Sequence, residues 1–171
     1  MRRTATNRTI GHAVQAGPID WSCVYARLGP ALLAYLRRLS RDSDAAEELV
    51  QETFAKAMAA SRFPPENELR PWLYRIASNL AIDGLRRSRR LRFVRFLGTE
   101  SAPAPNNDEA EAVRSALRAI DPELAATLVL RLHDGFSRAE VAVIRGVSER
   151  KVKSHLAEAR VAFERAYRGP S

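Results

Sequence analysis

A cluster of basic and polar side chains near the end of the chain could hydrogen-bond to nucleic acid. Its members are Arg150, Lys151, Lys153, Ser154 and His155. Arginine and lysine donate hydrogen bonds to guanine edges and to phosphates. A short helix predicted from Ser137, a turn at Gly146 and a helix from Glu149 indicate a helix-turn-helix that projects these residues outward. A helical hairpin with a solvated basic face is the alternative.

A second basic segment lies between residues 71 and 96, which hold seven Arg against the single acid Asp83. An acidic stretch follows, because residues 97–112 hold four acids and no base. The formal net charge of +8 points to a polyanionic partner. The Arg-rich segment favours phosphate contact, although a solvated helix end with cations near its negative dipole is the plainer alternative.

Two further surfaces have both a functional and a plain interpretation. Phe63, Trp72 and Tyr74 cluster around a proline-rich loop beside basic residues, which suits stacking on unpaired bases, although Trp72 fits the core better. An acidic helical face could bind a partner or simply face solvent. It carries Asp44, Glu47, Glu48 and Gln51, with Glu52 alongside.

Catalytic groupings are absent from the sequence. His12, His133 and His155 are scattered, and none has a carboxylate or cysteine at metal-ligand spacing. The chain also has no phosphate-binding glycine loop and no nucleophile elbow. We therefore expect no catalytic residues, no metal site and no cofactor, which makes an enzyme the weakest class of function.

The cysteine content and the hydropathy pattern predict a cytoplasmic protein. Cys23 is the only cysteine, so no intrachain disulfide can form. A buried structural thiol is favoured over a redox sensor at this position. No apolar segment approaches the roughly 18 residues that span a bilayer, and no apolar core follows Arg2 and Arg3 as in a signal peptide.

The fold class predicted is all-α. Alanine, leucine and arginine are good helix formers, whereas β-branched and aromatic residues are sparse. The pattern divides into a flexible N-terminal tail (1–19), a first helical domain (20–97), a flexible acidic linker (98–108) and a second helical domain with the helix-turn-helix (109–171).

Local signals predict where individual helices begin and end. Gly29-Pro30 is expected to interrupt the first helical pattern, and Asp44 with Glu47 resembles a capping box. Pro71 is expected at the first position of the next helix, and Gly84 could bend that helix. Asp121-Pro122 predicts another helix start, and Gly135 the end of that helix.

Two segments in this order resemble one known family. Residues 44–54 (DAAEELVQETF) and 70–87 (RPWLYRIASNLAIDGLRR) closely resemble the first domain of extracytoplasmic-function (ECF) sigma factors of bacterial RNA polymerase. Residues 124–160, with GFSRAEVA and GVSERKVKS, resemble their second domain. The resemblance covers about residues 21–97 and 109–167, and two motif sets in the right order make it highly specific.

The resemblance implies functional roles for the surfaces named above. Asp44, Glu47, Glu48, Gln51 and Glu52 would bind the β′ clamp helices of core RNA polymerase. The second domain would read the −35 element as duplex through the basic cluster and contact the β flap. The −10 element would be engaged by Phe63, Arg75, Asn79, Asp83, Arg86 and Arg87. A partner that holds the protein inactive, an anti-sigma factor, is also usual in this family.

The chain departs from the family pattern at several positions. Arg145 precedes Gly146 where an apolar residue is usual, and Val143 stands where a charge is usual. Gly84 replaces a larger residue, and Pro64-Pro65 stiffens the expected −10 loop. Two alternatives remain open, namely a stand-alone DNA-binding regulator and a sigma-like decoy that binds only proteins.

Overall fold

The described part of the chain, residues 19–40, 43–95 and 109–169 of a computed structural model, contains α-helices and no strand. The helices are α1 (Trp21–Leu39), α2 (Ser43–Met58), α3 (Glu66–Arg95), α4 (Glu109–Ala119), α5 (Pro122–Leu132), α6 (Arg138–Arg145) and α7 (Glu149–Arg168). The all-α prediction is confirmed. No helix in these ranges is long and apolar enough to cross a membrane. The predicted linker and nearly all of the predicted tail lie outside the described residues.

Helices α1, α2 and α3 pack together as one group. Asp20 caps α1 by accepting hydrogen bonds from the backbone N–H groups of Ser22 and Cys23 at 3.0 and 3.1 Å. The expectation of a buried thiol at Cys23 is wrong, because the residue is exposed on the first turn of α1. The three helices bury apolar residues at helical spacing, with Leu36 of α1, Val50 of α2 and Leu73 of α3 among them. These residues belong to the hydrophobic core of the protein.

The expected interruption at Gly29-Pro30 is wrong. Helix α1 continues through both residues, with Pro30 in its interior. An interior proline costs about 3 kcal/mol, because it removes a hydrogen bond and clashes with the preceding turn. The helix also buries Leu28, Leu32 and Leu36, and each such burial contributes about 1.5–3 kcal/mol. Tertiary packing thus outweighs the local signal.

Two predicted helix starts are also wrong. Helix α2 begins at Ser43, so Asp44 lies inside its first turn, and Glu47 accepts a hydrogen bond from Arg37 of α1 at 3.1 Å instead of closing a capping box. Helix α3 begins at Glu66, which places Pro71 in its interior between the buried residues Leu69 and Leu73. Burial again decides where the helix runs.

Helices α4 to α7 form a second group, and their caps agree with the sequence signals. Asp121 caps α5, with Pro122 at the first helical position. Ser137 and Glu140 form a capping box at the start of α6, and these hydrogen bonds hold the pKa of Glu140 below its usual value. Gly135 follows the end of α5 with φ of +74°. These short-range features were predictable because they depend on neighbours in sequence.

The two helical groups pack against each other through α1 and α3. Helix α3 contacts α5 and α6, and α1 contacts α4 and α5. Buried side chains of both groups belong to one continuous hydrophobic cluster. The sequence predicted two domains but did not predict that they share a core.

A glycine pair tests how backbone conformation limits stability. Gly146 has φ of +64°, so Gly146→Ala should lower the free energy of unfolding by about 1 kcal/mol. Gly84 is helical, and an added Cβ would meet no atom within 4 Å. Gly84→Ala should therefore raise that free energy by about 0.5–1 kcal/mol. Urea unfolding of both variants measures these changes in free energy. Equal changes would contradict the left-handed conformation of Gly146 and the helical conformation of Gly84.

Candidate nucleic-acid interface and polymerase-binding surface

The turn between α6 and α7 has the geometry of a helix-turn-helix. Gly146 adopts the left-handed conformation, and the N–H of Val147 donates to the carbonyl of Ala142 at 3.0 Å. Ser148 then caps α7 by accepting a hydrogen bond from the N–H of Lys151 at 3.2 Å. The predicted turn and both caps are confirmed, and they set the direction in which α7 leaves the turn.

The first two turns of α7 present a basic face to solvent. Arg150, Lys151, Lys153 and Ser154 are exposed, whereas Val152 is fully buried. The Ser154 hydroxyl donates to the carboxylate of Glu158 at 2.8 Å. The basic face of α7, defined by these four exposed residues, therefore lies where the helix-turn-helix prediction placed it.

The expectation that His155 projects outward with them is wrong. Its side chain is only 7% exposed. Position 155 is three residues after Val152 and four before Ala159, both of which are buried, so the helical repeat places it on the core face. His155 contributes packing beneath the basic face.

The acidic face of α2 is exposed as predicted and consists of Asp44, Glu47, Glu48, Gln51 and Glu52. Two of its carboxylates form ion pairs, Glu47 with Arg37 at 3.1 Å and Glu52 with Lys56 at 3.4 Å. The opposite side of the helix is buried through Ala46, Val50 and Thr53. The face is a continuous, carboxylate-rich surface held rigidly by the core beneath it.

A polar stripe runs along α3 at intervals of three and four residues. Its members, all exposed, are Arg75, Asn79, Asp83, Arg86 and Arg87. Helical spacing brings them to one side of α3. Helix α3 continues through Gly84, so the stripe lies on one uninterrupted helix.

Phe63 lies in the loop before α3 and is 40% exposed. Its ring meets those of Trp21 and Trp72 edge to face, with centroids 5.5 and 6.3 Å apart. Trp72 packs against the core, as the sequence favoured. Phe63 is thus an exposed aromatic ring on a rigid aromatic base.

Comparison with known proteins decides between a sigma factor and a general DNA-binding helix-turn-helix. The model of sigma-70 region 2 matches residues 24–91, and the model of sigma-70 region 4 matches residues 110–163. The RNA polymerase sigma factor CarQ of Myxococcus xanthus is 30% identical over 132 residues, 73% of this chain and 76% of CarQ. The ECF RNA polymerase sigma factor SigL of Mycobacterium tuberculosis is 31% identical over 144 residues, 78% of this chain and 80% of SigL.

The chain belongs to the ECF sigma factors. A solved structure agrees with this assignment in three dimensions. The sigma factor RpoE of Bartonella quintana, crystallised with the anti-sigma factor NepR, superposes with a TM-score of 0.68 at 27% identity. The match covers 89% of this chain and 99% of RpoE.

In this sigma factor, region 2 carries the acidic face of α2 and the polar stripe of α3, and region 4 carries the basic face of α7. Side chains that the sequence did not assign to this role join the two regions. Arg70 lies over the ring of Phe136 at 4.0 Å and donates to the backbone carbonyl of Asp134 at 3.0 Å. The Tyr74 hydroxyl donates to the Asp134 carboxylate at 3.2 Å.

The arginine-rich end of α3 makes a second set of contacts with region 4. Arg86 pairs with Glu123 at the start of α5. Arg89 donates to the backbone carbonyls of Arg118, at 2.9 Å, and Ile120, at the end of α4. A cation at carbonyls that end a helix is favourable. Part of the Arg-rich segment is therefore engaged within the protein.

Two charged groups are buried at this junction of the sigma factor. Burial raises the pKa of the Asp134 carboxyl, whose Oδ2 makes no hydrogen bond among the described residues. Burial also lowers the pKa of Arg145, and its Nη1 is likewise buried without a partner in the described part of the chain. Arg145 replaces a usually apolar residue, which was the one signal in the sequence that marked this interface.

The Asp134 carboxyl should make the stability of this sigma factor depend on pH. Its folded pKa is raised, so the folded state binds the proton more readily and gains stability as pH falls towards the ordinary carboxyl range. Asp134→Asn keeps an acceptor for Tyr74 without the charge. At neutral pH the free energy of unfolding of this variant, measured by urea unfolding, should exceed that of the parent by about 1 kcal/mol.

The same comparison repeated at decreasing pH supplies the control. As the pH falls through the raised pKa of Asp134, the parent carboxyl takes up a proton and the advantage of Asp134→Asn should shrink. An advantage that is constant with pH would show that the charge of Asp134 is not its cause.

Proposed function

We propose that this ECF sigma factor binds core RNA polymerase, directs it to promoters with −35 and −10 elements, and helps to open the −10 region. The observation that carries this proposal is the placement of both sigma regions on one chain, each with an exposed polar face on a buried core. The polymerase core performs the phosphodiester chemistry, and the sigma factor contributes no catalytic group.

The acidic face of α2 is the proposed binding surface for the β′ clamp helices. Asp44, Glu48 and Gln51 are exposed on a helix whose other side is anchored in the core. Glu47 and Glu52 can exchange their exposed partners Arg37 and Lys56 for polymerase cations at little cost, since surface ion pairs contribute only about 0–1 kcal/mol. Region 4 is proposed to contact the β flap.

The polar stripe of α3 and the ring of Phe63 are the proposed −10 surface. Arg75, Arg86 and Arg87 supply cations for phosphates, and Asn79 and Asp83 can hydrogen-bond to bases. An extruded base of the non-template strand costs a few kcal/mol to unstack. Stacking on an exposed aromatic ring contributes about 1–3 kcal/mol, which supports a role for Phe63.

The basic face of α7 is the proposed −35 surface. Arg150, Lys151, Lys153 and Ser154 project from the first two turns of the second helix of the helix-turn-helix, where such motifs contact base edges. His155 supports this surface from below, since it is buried. We assign it a positioning role instead of a direct DNA contact.

Three broader assignments belong to the same proposal. The chain is divided into an N-terminal tail (1–19), a region 2 domain (20–97), an acidic linker (98–108) and a region 4 domain (109–171). An anti-sigma factor is proposed as a partner, and the likeness to RpoE, solved with NepR, supports it. The cytoplasm is the proposed compartment, where polymerase and promoter DNA are found.

Run-off transcription with purified core polymerase and a pooled promoter library tests the proposal. We expect specific transcripts with this protein, and a loss of at least about tenfold with Glu48→Lys, because a cation would replace a carboxylate at the clamp surface. Glu164→Lys is the matched control. It makes the same charge change at an exposed position of α7 and should leave transcription intact.

The possible outcomes separate the alternatives. Equal activity of Glu48→Lys and Glu164→Lys would remove the acidic face of α2 from the proposal. If no transcript forms but the protein alone binds a specific duplex, the chain acts as a stand-alone regulator. Binding to polymerase without any DNA-dependent activity would indicate a decoy.

The salt dependence of promoter binding tests the basic face of α7. Each phosphate contact adds about 0.9 to the slope of log affinity against log salt. Lys153→Ala in the holoenzyme should reduce that slope by about one if Lys153 binds phosphate, or cost about 1–3 kcal/mol at one base pair if it reads a base. Arg168→Ala removes one cation from the far end of α7 and should do neither.

A further inference from the structure

The hydroxyl of Ser154 is oriented by a neighbour on the same helix. Ser154 Oγ donates its hydrogen bond to Oε1 of Glu158, about one turn further along α7, at 2.8 Å. Both side chains are exposed. Hydroxyls inside a helix commonly donate to the carbonyl four residues back, and Thr53 and Thr127 do so, at 2.7 Å each. Ser154 differs from them because its proton is directed to a side chain.

This hydrogen bond decides what Ser154 can offer to DNA. A hydroxyl has one donor hydrogen and two acceptor lone pairs. The hydrogen is bound to a carboxylate, and such charge-assisted hydrogen bonds are roughly twice as strong as those between neutral groups. The oxygens of guanine and thymine are neutral acceptors, so they do not take the hydrogen away from Glu158. Ser154 is left with its lone pairs and therefore meets DNA as an acceptor.

The carboxylate of Glu158 adds to the same preference. An ionised carboxylate only accepts hydrogen bonds. On α2, the carboxylate of Glu52 is paired with Lys56 at 3.4 Å, whereas no cation pairs with Glu158 within the part of the chain that the structure describes. Ser154 and Glu158 therefore form a pair of acceptors beside the cations of the basic face of α7. We call them the acceptor pair.

The acceptor pair lies in one row with a cation. Arg150, Ser154 and Glu158 follow each other at intervals of four residues, which places them on one side of α7. Successive members are about 6 Å apart along the helix axis. Base pairs in duplex DNA are stacked about 3.4 Å apart. The row can therefore contact base pairs that lie within a few steps of one another.

We propose that Glu158 is a positioning residue for −35 recognition, which makes Ser154 an acceptor and so selects a base that carries an amino group. In the major groove these amino groups are N4 of cytosine and N6 of adenine, whereas guanine and thymine present the acceptors O6 and O4 there. Arg150, by contrast, suits guanine. This inference rests on the proposed role of the basic face of α7 in −35 binding.

Selection of duplexes from a library with a randomised −35 segment tests the role of Glu158. The selection is made with the full-length protein and again with the holoenzyme. At one position the parent should enrich adenine or cytosine over guanine or thymine by about tenfold. In Glu158→Ala the Ser154 hydroxyl can either donate or accept, so this ratio should fall to about twofold or less.

Further variants separate the orientation of Ser154 from the effect of charge. Glu164→Ala removes the same charge from another exposed position of α7. It should change the affinity for all duplexes alike and leave the base preference unchanged, because the charge effect does not depend on sequence. Ser154→Ala should lose the preference at the same position as Glu158→Ala. The double variant should lose no more than either single variant, since the two residues act together.

Two results would overturn the inference. One is a selected sequence that Glu158→Ala leaves unchanged at every position. The other is a change in Glu158→Ala that Ser154→Ala does not reproduce, because Glu158 would then act on the DNA without Ser154.

Failure of the proposed function gives different results. Absent run-off transcription would remove the sigma function, while the base preference of the full-length protein would still show whether Glu158 orients Ser154. If neither the protein nor the holoenzyme enriched any duplex, the −35 surface itself would be overturned together with the inference. Enrichment whose base preference survives Glu158→Ala would overturn the role of Glu158 alone.

Discussion

Helix α3 is the element on which the rest of the structure depends, because both helical groups pack against it. Its residues Leu73, Ala77 and Ala81 are buried. Helices α1 and α2 of region 2 and helices α5 and α6 of region 4 all contact it. The polar stripe lies on a side of α3 that this packing leaves exposed. Packing therefore determines which side chains of the stripe are available to a partner.

The features that the sequence predicted well are those that depend on neighbours along the chain. Apolar spacing gave the buried faces, and Asp121, Ser137 and Gly146 marked helix ends. Pro30 and Pro71 were misread because tertiary burial offsets their local cost. His155 was wrongly predicted to project outward, because it is a polar residue next to the basic cluster in sequence. The helical repeat instead places its side chain in the core. The contacts of Arg70, Arg89 and Asp134 join distant residues and leave no periodic signal.

Charge is segregated by element in a way that suits several simultaneous partners. The acids of α2, the polar stripe of α3 and the cations of α7 lie on three different helices, each supported by buried apolar residues. The proposed partners, a protein surface and two DNA segments, would therefore not compete for one patch. The arginine-rich end of α3 also contacts region 4, since Arg86 pairs with Glu123 and Arg89 donates to the carbonyl of Arg118.

The unequal exposure of the two proposed DNA surfaces affects where molecules that are not bound to polymerase would be found in a cell. Genomes offer about 10⁶–10⁹ competing sites, and unpaired strands at replication or repair sites would attract any protein with free arginines and an aromatic ring. A molecule whose α3 arginines are occupied internally would be a poor ligand for such strands. The concentration of protein that is not bound to DNA would then depend on the amount of available polymerase and not on how much of the chromosome is being copied.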